Sequence, residues 1–307
     1  SPLAAAAQCC CVRLLATLPH TFAPTKVGWI PDMVGEHADL LASASDALRV
    51  WRLQPSARGG QLSGELACTL RPACEPGRSP RGGSSGSAAS GAPLTAFDWS
   101  EVNAATVAAC SIDTTCTVWD IDTQSVRAQI IAHDKEVYDV AMAPQNAHNF
   151  ASVGADGSLR LFDLRALEHS TIVYESPNLA PLLRLRWNRL DHNALAVLAL
   201  DSNAVLTLDL RMPGAPVASL HTARARDQPF ADEMLNALAW APHSEAHLIA
   251  AGERGLAYLW DVSDAQHAAR SSRAPANPAL AGIEPALAYD ARRPLDNLAW
   301  SATDPNW

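Results

Sequence analysis

One pattern constrains this chain more than any other: a strand-turn-strand unit written five times. The copies are "LLASASDALRVWRL" (40–53), "VAACSIDTTCTVWDI" (107–121), "ASVGADGSLRLFDLR" (151–165), "LAVLALDSNAVLTLDLR" (195–211) and "LIAAGERGLAYLWDV" (248–262). Each is an apolar run, a short polar turn and a second apolar run ending in an aromatic residue or Leu, usually followed by Asp. A further apolar segment precedes every copy: "TKVGWIPD" (25–32), "LTAFDWSE" (94–101), "VYDVAMAP" (137–144), "LLRLRWNR" (182–189) and "LNALAWAP" (235–242). The offsets between anchors are steady. Trp29 to Trp51 is 22, Trp99 to Trp119 is 20, Met142 to Phe162 is 20, Trp187 to Leu208 is 21 and Trp240 to Trp260 is 20. Chance does not keep five such offsets within two residues of one another.

The terminal anchors recur after 68, 43, 46 and 52 residues. Four-stranded propeller blades recur at about 40–45. The long first interval contains "PGRSPRGGSSGSAASGAP" (76–93), too polar and too rich in Gly, Ser and Pro to pack, and expected to be a flexible loop. The last interval is read as lengthened by insertions, and a longer one, "SDAQHAARSSRAPANPAL" (263–280), follows its closing anchor. A sixth copy starts at "LDNLAWSATDPNW" (295–307). In "SLRLFDL", Leu159 and Leu161 share one parity and Phe162 takes the other, so both strand faces are apolar. That is what a sheet packed between two neighbours needs. Asp156-Gly157 supplies a tight hairpin turn. The pattern predicts an all-β β-propeller, one domain over residues 1–307.

Composition sets the outer bounds. A hydrophobic fraction of 48% and a charged fraction of 18% allow a large core. The net charge of −9 argues against direct, sequence-independent nucleic-acid binding. No run of 18 apolar residues is present, so no membrane helix is expected. The apolar start is broken by Gln8 and Arg13 and is read as an irregular or truncated terminus rather than a signal peptide. The seven cysteines, Cys9, Cys10, Cys11, Cys68, Cys74, Cys110 and Cys116, lack metal-site spacing, so reduced thiols and no metal or cofactor are expected.

The endings "TVWD" (117–120), "YLWD" (258–261) and "RLFD" (160–163) resemble those of the WD-repeat family, and His20 and His133 stand at the family's histidine places. The resemblance implies a hydrogen-bonded structural network of His133, Ser152, Asp156 and Phe162 in one blade. Phe162 has no N–H to donate, so its bond is expected to be missing. Asp113 and Trp119 form the counterpart in the preceding blade, where Ala109 replaces the Ser or Thr.

A narrower likeness lies in "APLTAFDWSE", "TTCTVWDI", "AHDKEVYDVA", "FASVGADGSLRLFDLRALEHSTIVYE" and "LAVLALDSN". These resemble the Transparent Testa Glabra family, whose animal members are adaptors of DYRK protein kinases. That resemblance implies seven blades, with the first and last incomplete here. It also implies a non-catalytic scaffold in cytoplasm and nucleus, joining DYRK-type kinases or MYB and basic helix-loop-helix transcription factors to their targets. The alternative it carries is a substrate receptor of a cullin-4 ubiquitin ligase.

Candidate protein-binding residues follow from the Trp-Asp-x-Arg signature. Asp163 and Arg165 carry it with Phe162 for Trp, and Arg211, after Asp209, is a weaker copy. An Arg fork on a rim pairs naturally with carboxylates. Phe230, in the acidic "DQPFADEML" (227–235), is a candidate peptide anchor. Arg184, Arg186 and Arg189, like Arg224 and Arg226, read as solvated basic faces or as docking points for acidic segments. A hydrolase reading of "HDKEVYD" (133–139) finds no nucleophile held by an oriented base, so no catalytic residue is expected.

Overall fold

The computed structural model describes residues 14–31, 39–55, 62–72, 91–222, 233–270 and 282–301. Among them, five sheets, each built on four antiparallel strands, follow one another along the chain. Blade 1 is β1 (Lys26–Trp29), β2 (Leu40–Ala44), β3 (Leu48–Pro55) and β4 (Leu62–Leu70). Blade 2 is β5 (Leu94–Trp99), β6 (Thr106–Ser111), β7 (Thr115–Asp120) and β8 (Ser125–Ile131). Blade 3 is β9 (Val137–Met142), β10 (Asn149–Gly154), β11 (Ser158–Asp163) and β12 (Ser170–Glu175). Blade 4 is β13 (Leu182–Trp187), β14 (Ala194–Ala199), β15 (Ala204–Asp209) and β16 (Ala218–His221). Blade 5 opens with β17 (Leu235–Trp240), β18 (His247–Gly252) and β19 (Leu256–Asp261).

The chain then departs from a simple repeat. After β19 it forms a helix, α1 (Ser263–Arg270), where the sequence pattern predicts only an insertion. It next lays β20 (Gly282–Ile283) parallel to β16 on the outer edge of blade 4. It returns as β21 (Leu287–Asp290), the fourth strand of blade 5. The detour covers part of an outer edge that would otherwise expose unpaired backbone groups.

Among the described residues the all-β WD40 propeller is therefore present with five blades, not the seven expected. The five complete blades are the five complete copies of the repeat. The sixth copy contributes no strand over 295–300. It still docks: the Trp300 indole donates to Ala239 O at 3.4 Å, as the Trp240 indole donates to Arg186 O at 3.2 Å one blade earlier. Within the expected flexible loop, residues 76–90 lie outside the described residues.

Both strand parities are buried, for the reason the composition suggested. In β7, Cys116 and Val118 pack toward blade 3, whereas Trp119 packs toward blade 1 with Val50, Leu94 and Phe97. Phe162, Leu208 and Trp260 likewise fill the interface with the preceding blade. Each anchor is thus a wedge between neighbouring blades, and a fully buried side chain of this size contributes roughly 1.5–3 kcal/mol. Polar bonds add register between blades: Leu94 N–H donates to Ser45 O at 2.7 Å, and the Thr95 hydroxyl donates to Val137 O at 2.6 Å.

Candidate protein-docking rim and the networks behind it

The His133 ring is buried beneath the β10–β11 turn. Its Nε2 lies 2.7 Å from Ser152 Oγ and its Nδ1 lies 3.0 Å from both carboxylate oxygens of Asp156. Ser158 N–H and Oγ–H also donate to Asp156, and Arg160 joins it at 3.1 Å. Gly154 makes room for the ring, since a Cβ there would meet Glu136 O at 2.8 Å and the imidazole at 3.1 Å. Burial holds the His133 pKa below its ordinary value despite the Asp156 charge. Burial alone would raise Asp156, but its donors outweigh that and the carboxyl is lowered. Phe162 stands apart from these bonds, stacked on Phe150 at 5.0 Å.

The other blades use the same place differently. In blade 1, His20 Nε2 is 2.7 Å from Ser43 Oγ, which also accepts from the Trp51 indole at 2.9 Å. His20 in the family position, with Ser43 ahead of Trp51, was the available signal. In blade 2 no hydrogen bond joins Asp113 to Trp119. Asp113 caps its own turn through Thr115, and the Trp119 indole N–H has no acceptor. In blade 5 a fully buried Glu233 takes the histidine's role. Its carboxyl accepts from Arg254 N–H, Leu256 N–H and the Tyr258 hydroxyl. Burial, followed by the neighbouring Glu233, pushes the Tyr258 phenol up. Glu233 sits in an acidic run, and nothing in its sequence context marks it as buried.

The innermost strands carry an ion-pair network that reaches past neighbouring blades. Asp139 of β9, 1% exposed, receives Lys26 of β1 at 3.4 Å and Arg186 of β13 at 2.7 Å. Burial would raise the Asp139 pKa, but Lys26, Arg186 and Arg184 hold it at about 2. Arg189, after β13, pairs with Glu101, after β5. Two of the three cations in "LLRLRWNR" are therefore tied into the fold rather than forming a free basic face. Asp98, also interior, accepts from Met142 N–H at 2.7 Å, and burial pushes its carboxyl up. Among the described residues no group of three or more His, Cys, Asp or Glu side chains could hold a metal, and no helix is long and apolar enough to cross a membrane.

At the opposite end of β11 from His133 lies the rim. Asp163 accepts from Arg165 N–H at 2.9 Å, which closes the turn, and its carboxylate is gripped by Arg165 Nε at 2.9 Å and Nη2 at 2.6 Å. These bonds, the side-chain one foremost, lower the Asp163 pKa to about 2. Blade 4 repeats the fork: Arg211 N–H and Nε each donate to Asp209 at 2.8 Å. The Arg165 side chain is 65% exposed and that of Arg211 46%. Asp261 and Asp290 accept from the N–H two residues on without such a fork, the latter although Arg292 stands at the arginine position, and Asp120 accepts from Thr123 N–H, so the aspartate serves the turn and the side-chain grip is the additional feature. Phe230, Arg224 and Arg226 lie outside the described residues, as do Cys9, Cys10, Cys11 and Cys74.

Comparison with known proteins agrees with this geometry. The profile of the family "WD domain, G-beta repeat" matches residues 124–163, which span β8 through β11. The sequence repeat is thus offset by one strand from the blade and ties blade 2 to blade 3. A DDB1- and CUL4-associated factor 7 homolog of Dictyostelium discoideum is 41% identical over 288 residues, covering 94% of this chain and 77% of its own length. An uncharacterized WD repeat-containing protein of Schizosaccharomyces pombe is 37% identical over 78% of this chain and 54% of its own. A WD repeat-containing protein of Saccharomyces cerevisiae is 34% identical over 78% of this chain and 47% of its own. The chain spans about half the length of these last two relatives. The chain belongs to the family of WD-repeat proteins related to DDB1- and CUL4-associated factor 7.

Proposed function

We propose that this propeller is a non-catalytic adaptor that assembles protein complexes, with the paired Asp-x-Arg forks of blades 3 and 4 as one docking rim. The observation that carries this reading is the recurrence of the fork on adjacent blades, with exposed guanidiniums at both. A guanidinium held by one carboxylate is preorganised for a second, because Nε and Nη2 of Arg165 are engaged while Nη1 stays outside the fork. Phe230 is a further candidate anchor. The sequence resemblance supports DYRK-type kinases, or MYB and basic helix-loop-helix factors, as the proteins joined, in cytoplasm and nucleus.

A second reading, substrate receptor of a cullin-4 ubiquitin ligase, is supported by the same forks and by the Dictyostelium relative, which is named as a DDB1- and CUL4-associated factor. Affinity purification of the wild-type chain and of an Arg165→Ala, Arg211→Ala double variant from native extract tests both. The adaptor reading expects kinase or transcription factor with the wild type. The receptor reading expects ligase adaptor with the wild type and its loss with the double variant. Capture unchanged by the double variant would remove the rim from either account.

A further inference from the structure

We propose that Lys135 is the one side-chain amine of residues 1–307 that stands free for acylation, and that it is the site at which this chain, as a ligase receptor, is itself conjugated to ubiquitin. Lys26 and Lys135 are the two lysines in 307 residues, and the other 21 basic residues are Arg. A guanidinium stays charged, whereas a lysine ammonium can shed its proton and become a nucleophilic amine. The structure separates the two lysines. Lys26, on the innermost strand β1, lies 3.4 Å from the Asp139 carboxylate and 5.8 Å from the centre of the Phe97 ring, and its side chain is 25% exposed. Attack by its Nζ would break the ion pair and leave the ring. Lys135, in the turn between β8 and β9, is exposed and belongs to no ion pair among the described residues.

The turn that carries Lys135 is tied on both sides. His133 N–H donates to Thr114 O at 3.3 Å, and Ala155 N–H donates to Glu136 O at 2.8 Å. Asp134 N–H donates to Asp156 at 3.3 Å, and the Asp134 carboxylate accepts from Arg160 at 2.7 Å. The His133 ring turns inward to Ser152 and Asp156. Asp134, Lys135 and Glu136 are left on the surface, so the amine is presented on a fixed support.

Position matters as much as exposure. The Asp134–Arg160 pair sets Lys135 beside the start of β11, whereas the Asp163–Arg165 fork stands at its end. β11 runs six residues between them, about 17 Å at ~3.3 Å per residue. A ligase adaptor on the forks therefore leaves the Lys135 amine uncovered, and a ubiquitin on Lys135 leaves the forks free. Lys135 as a conjugation site rests on the receptor reading, which supplies the acyl group. Its Nζ, having released one proton to solvent, attacks the carbonyl carbon of a ubiquitin C-terminal thioester. The isopeptide N–C bond forms, the C–S bond breaks, and the departing thiolate takes the second amine proton.

Two measurements test this. In limited acetylation of the full chain by an N-hydroxysuccinimide ester, read by peptide mass spectrometry, Lys135 is expected to react at least about fivefold faster than Lys26, the factor withheld by an ion pair worth ~1 kcal/mol. Equal rates would overturn the proposal. In a reconstituted cullin-4 ligase supplied with lysine-blocked ubiquitin, the chain is expected to gain a single ubiquitin, at Lys135. Lys135→Arg, which keeps the charge and removes the amine, should lower conjugation at least about tenfold. Lys26→Arg, which keeps a cation beside Asp139, should leave it unchanged. Gel filtration reads complex formation separately. A complex in which the Lys135→Arg chain is conjugated as fully as wild type, or in which wild type is not conjugated, overturns this inference and leaves the receptor reading standing. Absence of a complex removes the receptor reading and this inference with it.

Discussion

The Trp51 indole donates to the Ser43 hydroxyl at 2.9 Å, and Ser43 stands opposite Arg49, two residues before the anchor. The equivalent register position holds Ala109 opposite Thr117 in blade 2 and Ala250 opposite Tyr258 in blade 5. There the buried indoles of Trp119 and Trp260 have no acceptor. A missing serine hydroxyl accounts for both orphans. Ala109→Ser is therefore expected to stabilise the protein by about 1 kcal/mol. The urea midpoint reads this, and a midpoint that stays level or falls would show that the hydroxyl fails to reach the indole.

The buried imidazole gives a signed pH dependence. The folded chain holds the His133 proton less tightly than the ordinary value of 6.5. The unfolded chain then binds more protons below that pH, so this contribution to stability fades as pH falls through 6.5. Asp98 and Glu101 shift the opposite way, but they are common to a His133→Gln variant. The stability advantage of wild type over that variant should shrink between pH 7.5 and pH 5 in parallel unfolding titrations. A constant difference would place the imidazole outside the linkage.

Removing the blade 5 carboxyl should be costly. Glu233→Ala leaves the Tyr258 hydroxyl and the N–H groups of Arg254 and Leu256 without their acceptor, an expected loss of about 3 kcal/mol. Tyr258→Phe removes one donor and should cost about 1 kcal/mol. Similar losses for the two variants in chemical denaturation would mean that the backbone donors find other partners.

Asp139 is the electrostatic hinge of the inner strands. Asp139→Asn uncouples Lys26 and Arg186 from their shared carboxylate and is expected to cost about 3 kcal/mol. Lys26→Met, which removes the longer and more exposed bond, should cost about 1 kcal/mol. The Asp139 contribution is intact above the ordinary value of 3.8 and is lost as pH falls toward about 2. Calorimetric melting of both variants checks the ranking, and an inverted order would move the main interaction away from Asp139.

What the chain determined by itself is the repeat and its packing rule. The anchor offsets, the apolar character of both strand faces and the Asp-closed turns are local. They follow from a hairpin's own length and from a sheet that must bury two sides, so Trp119 and Phe162 could be located by counting, whereas Asp163 and Arg165 are singled out by their likeness to the Trp-Asp-x-Arg signature. His133, Ser152 and Asp156 could be grouped only through the likeness to the WD-repeat family, which places such residues in one blade.

The tertiary structure decided what joins residues far apart in the chain. Lys26 meets Asp139 across 113 positions, and Glu101 meets Arg189 past an intervening blade, because the inner strands converge. Charge in the sequence carries no record of that convergence. The return of β20 to blade 4 and the burial of Glu233 are equally invisible to periodicity. Each depends on which loop is pressed against which neighbour.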